Sequence, residues 1–498
     1  MTAPPSGKDT LAQRVDQALA TGTRPRLRRG CLRFARTVAL PVGIQGPTAG
    51  VIIGPAIIAG IVGEPGALAQ VLALVAMGFV AYAFIRFSRA FNTSGSVYAF
   101  NAAALGPGYG FVSAWLLLLV YISFAAGVYA STADIAQTLL ASMGVHAGWL
   151  ILALAGAAAA LLLGYLSIGL SSLVILVCEG LAIALICAVA VAVLMKGGYH
   201  HHGLSAAPFT PAGVRPGLLT LGVVAVFGQF SGFEGAATLG EEARHSTRTV
   251  PAAIGWSLAT SAAVYIFFTW IVYAAFPSAA AVAANPAPLV SVAGQYLGSG
   301  VAKAVNAAGL VSAFGAQLAC LNAASRLLFA VGREAAAGPI TRVSRRHGSP
   351  SGALAVTGAV SVAALLATGF EPTATRAATL IIQYGAYLIL GAYLMTVLAA
   401  LAWAWRTGRG PGPLAALATG AAVLGVVIYH TFAPLPSGVF GWIALGAAVS
   451  VLLGATLLLT PALLARLRRS PLLAAANAPG AATADRGGTT GDLFKPPQ

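Results

Sequence analysis

Three acidic residues fall inside otherwise apolar stretches of the chain: Asp134, Glu179 and Glu234. An ionisable group at membrane depth costs about 2.5–3.5 kcal/mol on insertion scales, so each marks a functional position unless a partner explains it. Glu234 stands foremost. It belongs to the run Phe227-Gly228-Gln229-Phe230-Ser231-Gly232-Phe233-Glu234-Gly235, where glycines, aromatic rings and an acid share one segment. A carboxyl there suits a proton carrier or a gate, and a protonated acid bonded to a nearby carbonyl is the plainer alternative. Glu179, beside Cys178, is a second candidate for proton coupling, and a structural acid is its alternative. Asp134 lies near the outer end of its stretch and reads as solvated or paired.

A second interrupted segment is Val42-Gly43-Ile44-Gln45-Gly46-Pro47-Thr48-Ala49-Gly50. Proline removes an amide donor and its ring clashes with the preceding turn, and glycine lowers helix persistence. Non-helical backbone at membrane depth is tolerated only where protein buries it or water lines it. Amides freed at a half-helix N-terminus suit a carboxylate, and freed carbonyls suit an ammonium or another cation. Packing and kinking are the alternative, since Gly and Pro are common in membrane helices. The pairs Phe230/Phe233 and Tyr384/Tyr387, each spaced three apart, suit covering a solute or packing equally well.

The elements that hold these residues are apolar helices. Hydrophobic residues make up 58% of the 498 and charged residues 8%, with mean hydropathy +0.86. Soluble domains carry about a quarter charged residues, so the composition excludes that class. A window of ~20 apolar residues predicts twelve spans, at roughly 37–62, 66–86, 110–141, 148–166, 171–195, 217–240, 252–276, 301–331, 353–369, 377–405, 414–433 and 439–464. The interrupted segments open the first and sixth. Those are corresponding positions if two blocks of five spans repeat, the arrangement that best points to a transporter site.

With both termini placed in the cytoplasm, 24 of the 28 Lys and Arg fall on the inner side, leaving Lys196, Arg215, Lys303 and Arg376 outside. That satisfies the positive-inside rule. The net charge of +16 is therefore a topology signal, with anionic membrane lipid as the natural partner and no need for nucleic acid. Residues 1–36 read as a cytoplasmic basic arm with no secretory signal peptide. Leu11, Val15 and Leu19 suit either a short interfacial helix or a disordered segment. Residues 466–498 read as a disordered cytoplasmic tail. The scattered Cys31, Cys178, Cys187 and Cys320 predict neither disulfides nor a metal site. The run His200-His201-His202 reads as a polar loop in preference to a metal tract.

Several motifs resemble the amino acid–polyamine–organocation (APC) superfamily of permeases. Phe230 to Arg244 followed by Arg248-Thr249-Val250-Pro251 is similar to their sixth span and following loop. Ser94-Gly95-Ser96-Val97-Tyr98 with Leu105-Gly106-Pro107 is similar to their loop between spans two and three, and Ser325 to Glu334 with Gly338-Pro339 to the inner end of span eight. The motifs keep the expected order over about residues 35–465. The resemblance implies a leucine-transporter-like fold: repeat one about 37–195, repeat two about 217–405 and extra helices about 414–464, within a transporter domain 37–465. It implies that the span-one opening at Gly46, through amides near Thr48, Ala49 and Gly50, holds a substrate carboxylate. The span-six opening at Phe230, Ser231 and Gly232 then faces the amino group, with Phe233 and Glu234 adjoining. Some relatives carry a Lys in span five for proton coupling, near the place of Glu179, and Ser312 in span eight is a candidate ion ligand.

The expectation is an all-α multi-spanning protein of the cell membrane, a secondary active transporter of an amino acid or related amine. Proton coupling is favoured over exchange or sodium, and no cofactor or catalytic residue is implied. No GxxxxGK[ST], HExxH or GxSxG is present, which argues against ATP-driven pumping and against a membrane-embedded enzyme. A sensor on the same fold would be expected to carry a soluble signalling domain.

Overall fold

The computed structural model describes residues 25–91, 93–199, 204–211, 213–335 and 337–468. The segment around Leu11, Val15 and Leu19, the run 200–202 and residues 469–498 of the predicted tail lie outside them, while 466–468 close the helix Pro461–Arg468. Among the described residues the chain is all-helical apart from an isolated parallel bridge between Leu32 and Ala243. Ten helices are long and apolar enough to cross a membrane. The predicted fourth and ninth spans appear as 17-residue helices, Trp149–Tyr165 and Ser351–Ala367, at the short end of what a crossing needs. Among the described residues, ten helices meet length and hydropathy together, and these two shorter apolar helices occupy the other two predicted positions. The longest helix, Ser299–Glu334, has 36 residues, about 54 Å at 1.5 Å per residue. Since the hydrocarbon core is about 30 Å thick, this helix must tilt or project beyond it.

Small residues bring the helices close. A Cβ on Gly43 would sit 2.6 Å from Ile175 Cγ2 and 3.1 Å from Ala319 Cβ, so the first span lies tight against the helices Ile168–Met195 and Ser299–Glu334. Helix Pro107–Ala141 packs between Ser299–Glu334 and Ala374–Arg406. Pro411–Phe432 and Gly438–Leu457 are peripheral; the latter buries only Ala447 and Gly454.

One end of the bundle is tied together by charge. Arg326 donates from Nε and Nη2 to Glu242 at 2.6 and 3.2 Å and from Nη1 to Asn322 Oδ1 at 2.8 Å. Arg333 donates to both oxygens of Glu241 at 2.6 and 3.1 Å. Across this pair of bridges runs the N-terminal arm. Leu32 N donates to Glu242 O at 2.9 Å, Arg244 N donates to Leu32 O at 2.9 Å, and Leu27 packs with Phe329 and Ala353. The sequence gives no sign of this docking, because a single extended bridge needs no periodic pattern.

Candidate functional site

Both interrupted segments break. The first span is two helices, Phe34–Gln45 and Pro47–Val62, hinged at Gly46 with φ 51° and ψ 55°. That left-handed conformation favours glycine. Pro47 then starts the second helix at the position where its missing donor costs nothing. The sixth span ends as an α-helix at Phe227, makes a 3₁₀ turn over Gly228–Phe230, passes through Gly232 at φ 112°, and resumes as a 3₁₀ segment Phe233–Leu239.

The two breaks touch. Gln45 Nε2 donates to Phe230 O at 3.0 Å, Gln45 Oε1 accepts from Ser261 Oγ at 2.8 Å, and Gln45 O accepts from Tyr265 Oη at 2.7 Å. A Cβ on Gly232 would fall 2.6 Å from Ile44 Cγ2 and 3.2 Å from Gln45 N. Only a glycine lets the segments approach this closely. Gln45 thus bonds to carbonyls and hydroxyls that neither helix satisfies by itself, the accounting that buried polar groups demand.

Glu234 sits fully buried at this junction. Its Oε2 accepts from Tyr393 Oη at 2.6 Å and from Gly232 N at 2.9 Å, and its Oε1 accepts from Tyr121 Oη at 3.1 Å. Among the described residues its hydrogen bonds run to two hydroxyls and a backbone amide, with no carbonyl among them. Phe230 lies edge-on to Tyr265, while Phe233 meets Phe84 and Tyr393. Both phenylalanines are buried.

Glu179 reaches the span-one opening from the helix Ile168–Met195. Its Oε1 accepts from Thr48 N at 3.0 Å and Thr48 Oγ1 at 2.8 Å. Ala49 N donates to Ser312 Oγ at 3.2 Å, and Gly50 N donates to Gly46 O at 2.9 Å. Gly50 also runs against the Tyr265 ring, whose Cε1 lies 2.7 Å from where a Cβ would be. Ser231 turns its hydroxyl back onto Gly228 O at 2.6 Å. Gly46, Thr48, Ala49, Gly50, Glu179 and Ser312 therefore gather at one opening, and Phe230 to Glu234 at the other. Thr48, Ser231, Glu179 and Ser312 are all buried, while Ala49 and Gly50 are half-buried.

Other marked residues lie elsewhere. Tyr384 Oη shares a hydrogen bond with Ser450 Oγ at 2.7 Å and Tyr387 packs on Phe432, so that pair braces the two peripheral helices. Asp134 accepts from Thr375 Oγ1 at an exposed position, as its place near a helix end implies. Sequence reasoning passed over Gln45, Tyr121, Ser261, Tyr265 and Tyr393. Gln45 had a signal: an amide side chain beside a Gly-Pro break in a membrane span needs partners. The tyrosines had none, since most tyrosines in apolar helices only pack.

Residues 38–457 match the model of a family described as amino acid permease. The chain is 28% identical over 279 residues to a branched-chain amino acid permease of Lactococcus lactis subsp. cremoris, covering 53% of this chain and 60% of that protein. It is 26% identical over 302 residues to a branched-chain amino acid permease of Bacillus subtilis, covering 56% and 62%. A low-affinity putrescine importer of Escherichia coli K12 is 27% identical over 210 residues, covering 42% and 46%. The chain spans less than two thirds of the length of each of these relatives.

Proposed function

The chain belongs to the amino acid permease family, and we propose that it is a secondary active transporter of an amino acid or related amine. The observation that carries this reading is the pair of broken spans in contact through Gln45 and Phe230. Apolar packing alone gives no reason to interrupt two helices at one point. In this reading the molecule works by alternating access, with a five-plus-five inverted repeat moving about the junction and two further helices outside it. It lies in the cell membrane with both termini cytoplasmic and anionic lipid against its basic end. The relatives' names, which refer to branched-chain amino acids and putrescine, support a small amine-bearing substrate.

Proton coupling through Glu234 is favoured. The carboxyl is buried between two hydroxyls and an amide of the break itself, so a change in its protonation bears directly on the backbone at Gly232. A sodium reading rests on Ser312, whose oxygen already accepts from Ala49 N. The test is uptake into proteoliposomes with a panel of amino acids and amines, with and without an inward proton gradient. Saturable uptake is expected, stimulated severalfold by the gradient. Glu234→Gln should fold and bind, because Tyr121 Oη can turn to accept, yet lose at least tenfold of gradient-driven uptake. Wild-type stimulation in that variant would remove Glu234 from the coupling role, and flux that never saturates would indicate a channel.

A further inference from the structure

The amides expected to hold a substrate carboxylate already have partners. Thr48 N gives its hydrogen to Glu179, as Thr48 Oγ1 does beside it, Ala49 N to Ser312 and Gly50 N to Gly46 O. The positive end of the half-helix Pro47–Val62 is therefore neutralised by a carboxyl of the chain itself, where an anion is favoured by the helix dipole. What the junction leaves over is an acceptor. Glu179 Oε2 is buried and makes no hydrogen bond of ordinary length among the described residues, with the Ser312 hydroxyl a neighbouring donor to this carboxyl, and a buried oxygen in that position has room for a further donor. Among the described residues no Lys, Arg or His forms a hydrogen bond or ion pair with Glu179 or Glu234, whose partners are Thr48 for the first and Gly232, Tyr121 and Tyr393 for the second. Four aromatic rings, Phe230, Phe233, Tyr265 and Tyr393, stand at the same junction, and aromatic faces attract organic cations.

Building on the transporter reading, we infer that Glu179 takes the place of the substrate carboxylate, and that the preferred substrate is a small organic amine lacking one. The ammonium completes Glu179 Oε2. A substrate carboxylate would have to displace Glu179 from Thr48, stranding a buried acid next to a second anion.

Matched pairs differing only in the carboxylate test this directly: l-leucine against 3-methylbutylamine, and l-ornithine against 1,4-diaminobutane. Binding is measured by calorimetry on the purified full chain. The amine of at least one pair is expected to bind at least tenfold more tightly than its parent amino acid. Glu179→Ala frees the Thr48 amide and should reverse that preference. Glu179→Gln keeps the shape and the hydrogen bond from Thr48 and should weaken the amine at least tenfold without reversal. Parent amino acids binding as tightly as their amines to the wild type would overturn the assignment, and that comparison needs no variant to fold. An unchanged preference in Glu179→Ala would overturn it as well. Uptake of leucine in preference to 3-methylbutylamine by the wild-type protein would refute only this assignment, whereas a chain that carries neither amines nor amino acids would end the transporter reading too.

Discussion

Arg326→Ala should destabilise the protein by about 3–5 kcal/mol, the usual loss when one partner of a buried ion pair is removed. The Arg326 and Glu242 side chains are each 1% exposed, so deleting the guanidinium leaves a carboxylate with no water to stabilise it. Asn322, which meets Arg326 through both its side-chain and backbone oxygens, loses its donor at the same time. The stranded charge, and not the absence of a favourable bond, is the main cost. It follows that replacing both partners with apolar residues, Arg326→Met with Glu242→Leu, should recover most of the loss. Thermal unfolding in detergent reads both outcomes, and a single-variant loss below about 1 kcal/mol, the range of a solvated pair, would show that water reaches Glu242. The double variant also isolates a conformational role. Arg326 lies in the long helix Ser299–Glu334 and Glu242 in the loop after the sixth span, beneath the docked arm at Leu32. A well-folded double variant that binds substrate but transports slowly would identify the bridge as part of the closure at this end.

Gly232→Leu is expected to reduce ligand binding at least a hundredfold. Two costs act together. The residue occupies φ 112°, where a side chain costs roughly 1–2 kcal/mol. Its Cβ would also stand 2.6 Å from Ile44 Cγ2, a distance that real contacts do not show. Relief requires the sixth span to move away from the first, which breaks the bond from Gln45 to Phe230 and the amide contact of Gly232 with Glu234. Gly232→Ala pays the backbone cost and the first contact only, so its loss should be smaller. Calorimetric titration of the purified variants with the tightest-binding amine or amino acid measures both. Wild-type affinity in Gly232→Leu would mean that the two breaks need not touch for binding.

The large features were legible because they depend on local chemistry. Proline after glycine at Gly46-Pro47 stops a helix wherever the segment lies, and the run Gly228 to Gly235 cannot hold regular α-helix strongly. Long apolar stretches must become helices in hydrocarbon because no water is available to satisfy the backbone. At 148–166 and 353–369 the same reasoning found apolar helices, each 17 residues long and so at the short end of what a crossing needs. Hydropathy counts residues and takes no account of where a turn such as Leu166-Ser167 cuts the helix.

Pairing is a different matter. The sequence by itself determined that Glu179 and Glu234 are costly acids needing partners, that two spans are interrupted, and which end of the bundle is basic. It did not determine that Glu179 would cap Thr48, 131 residues away, or that Gln45 would meet Phe230, 185 residues away. Those contacts arise where several helices converge at their small residues, and which side chain reaches which amide depends on helix rotation and depth, which no periodicity in one chain records. The tertiary structure alone decided that the amide seat at the first break is occupied from within, leaving a carboxylate oxygen where a substrate's own carboxylate was expected.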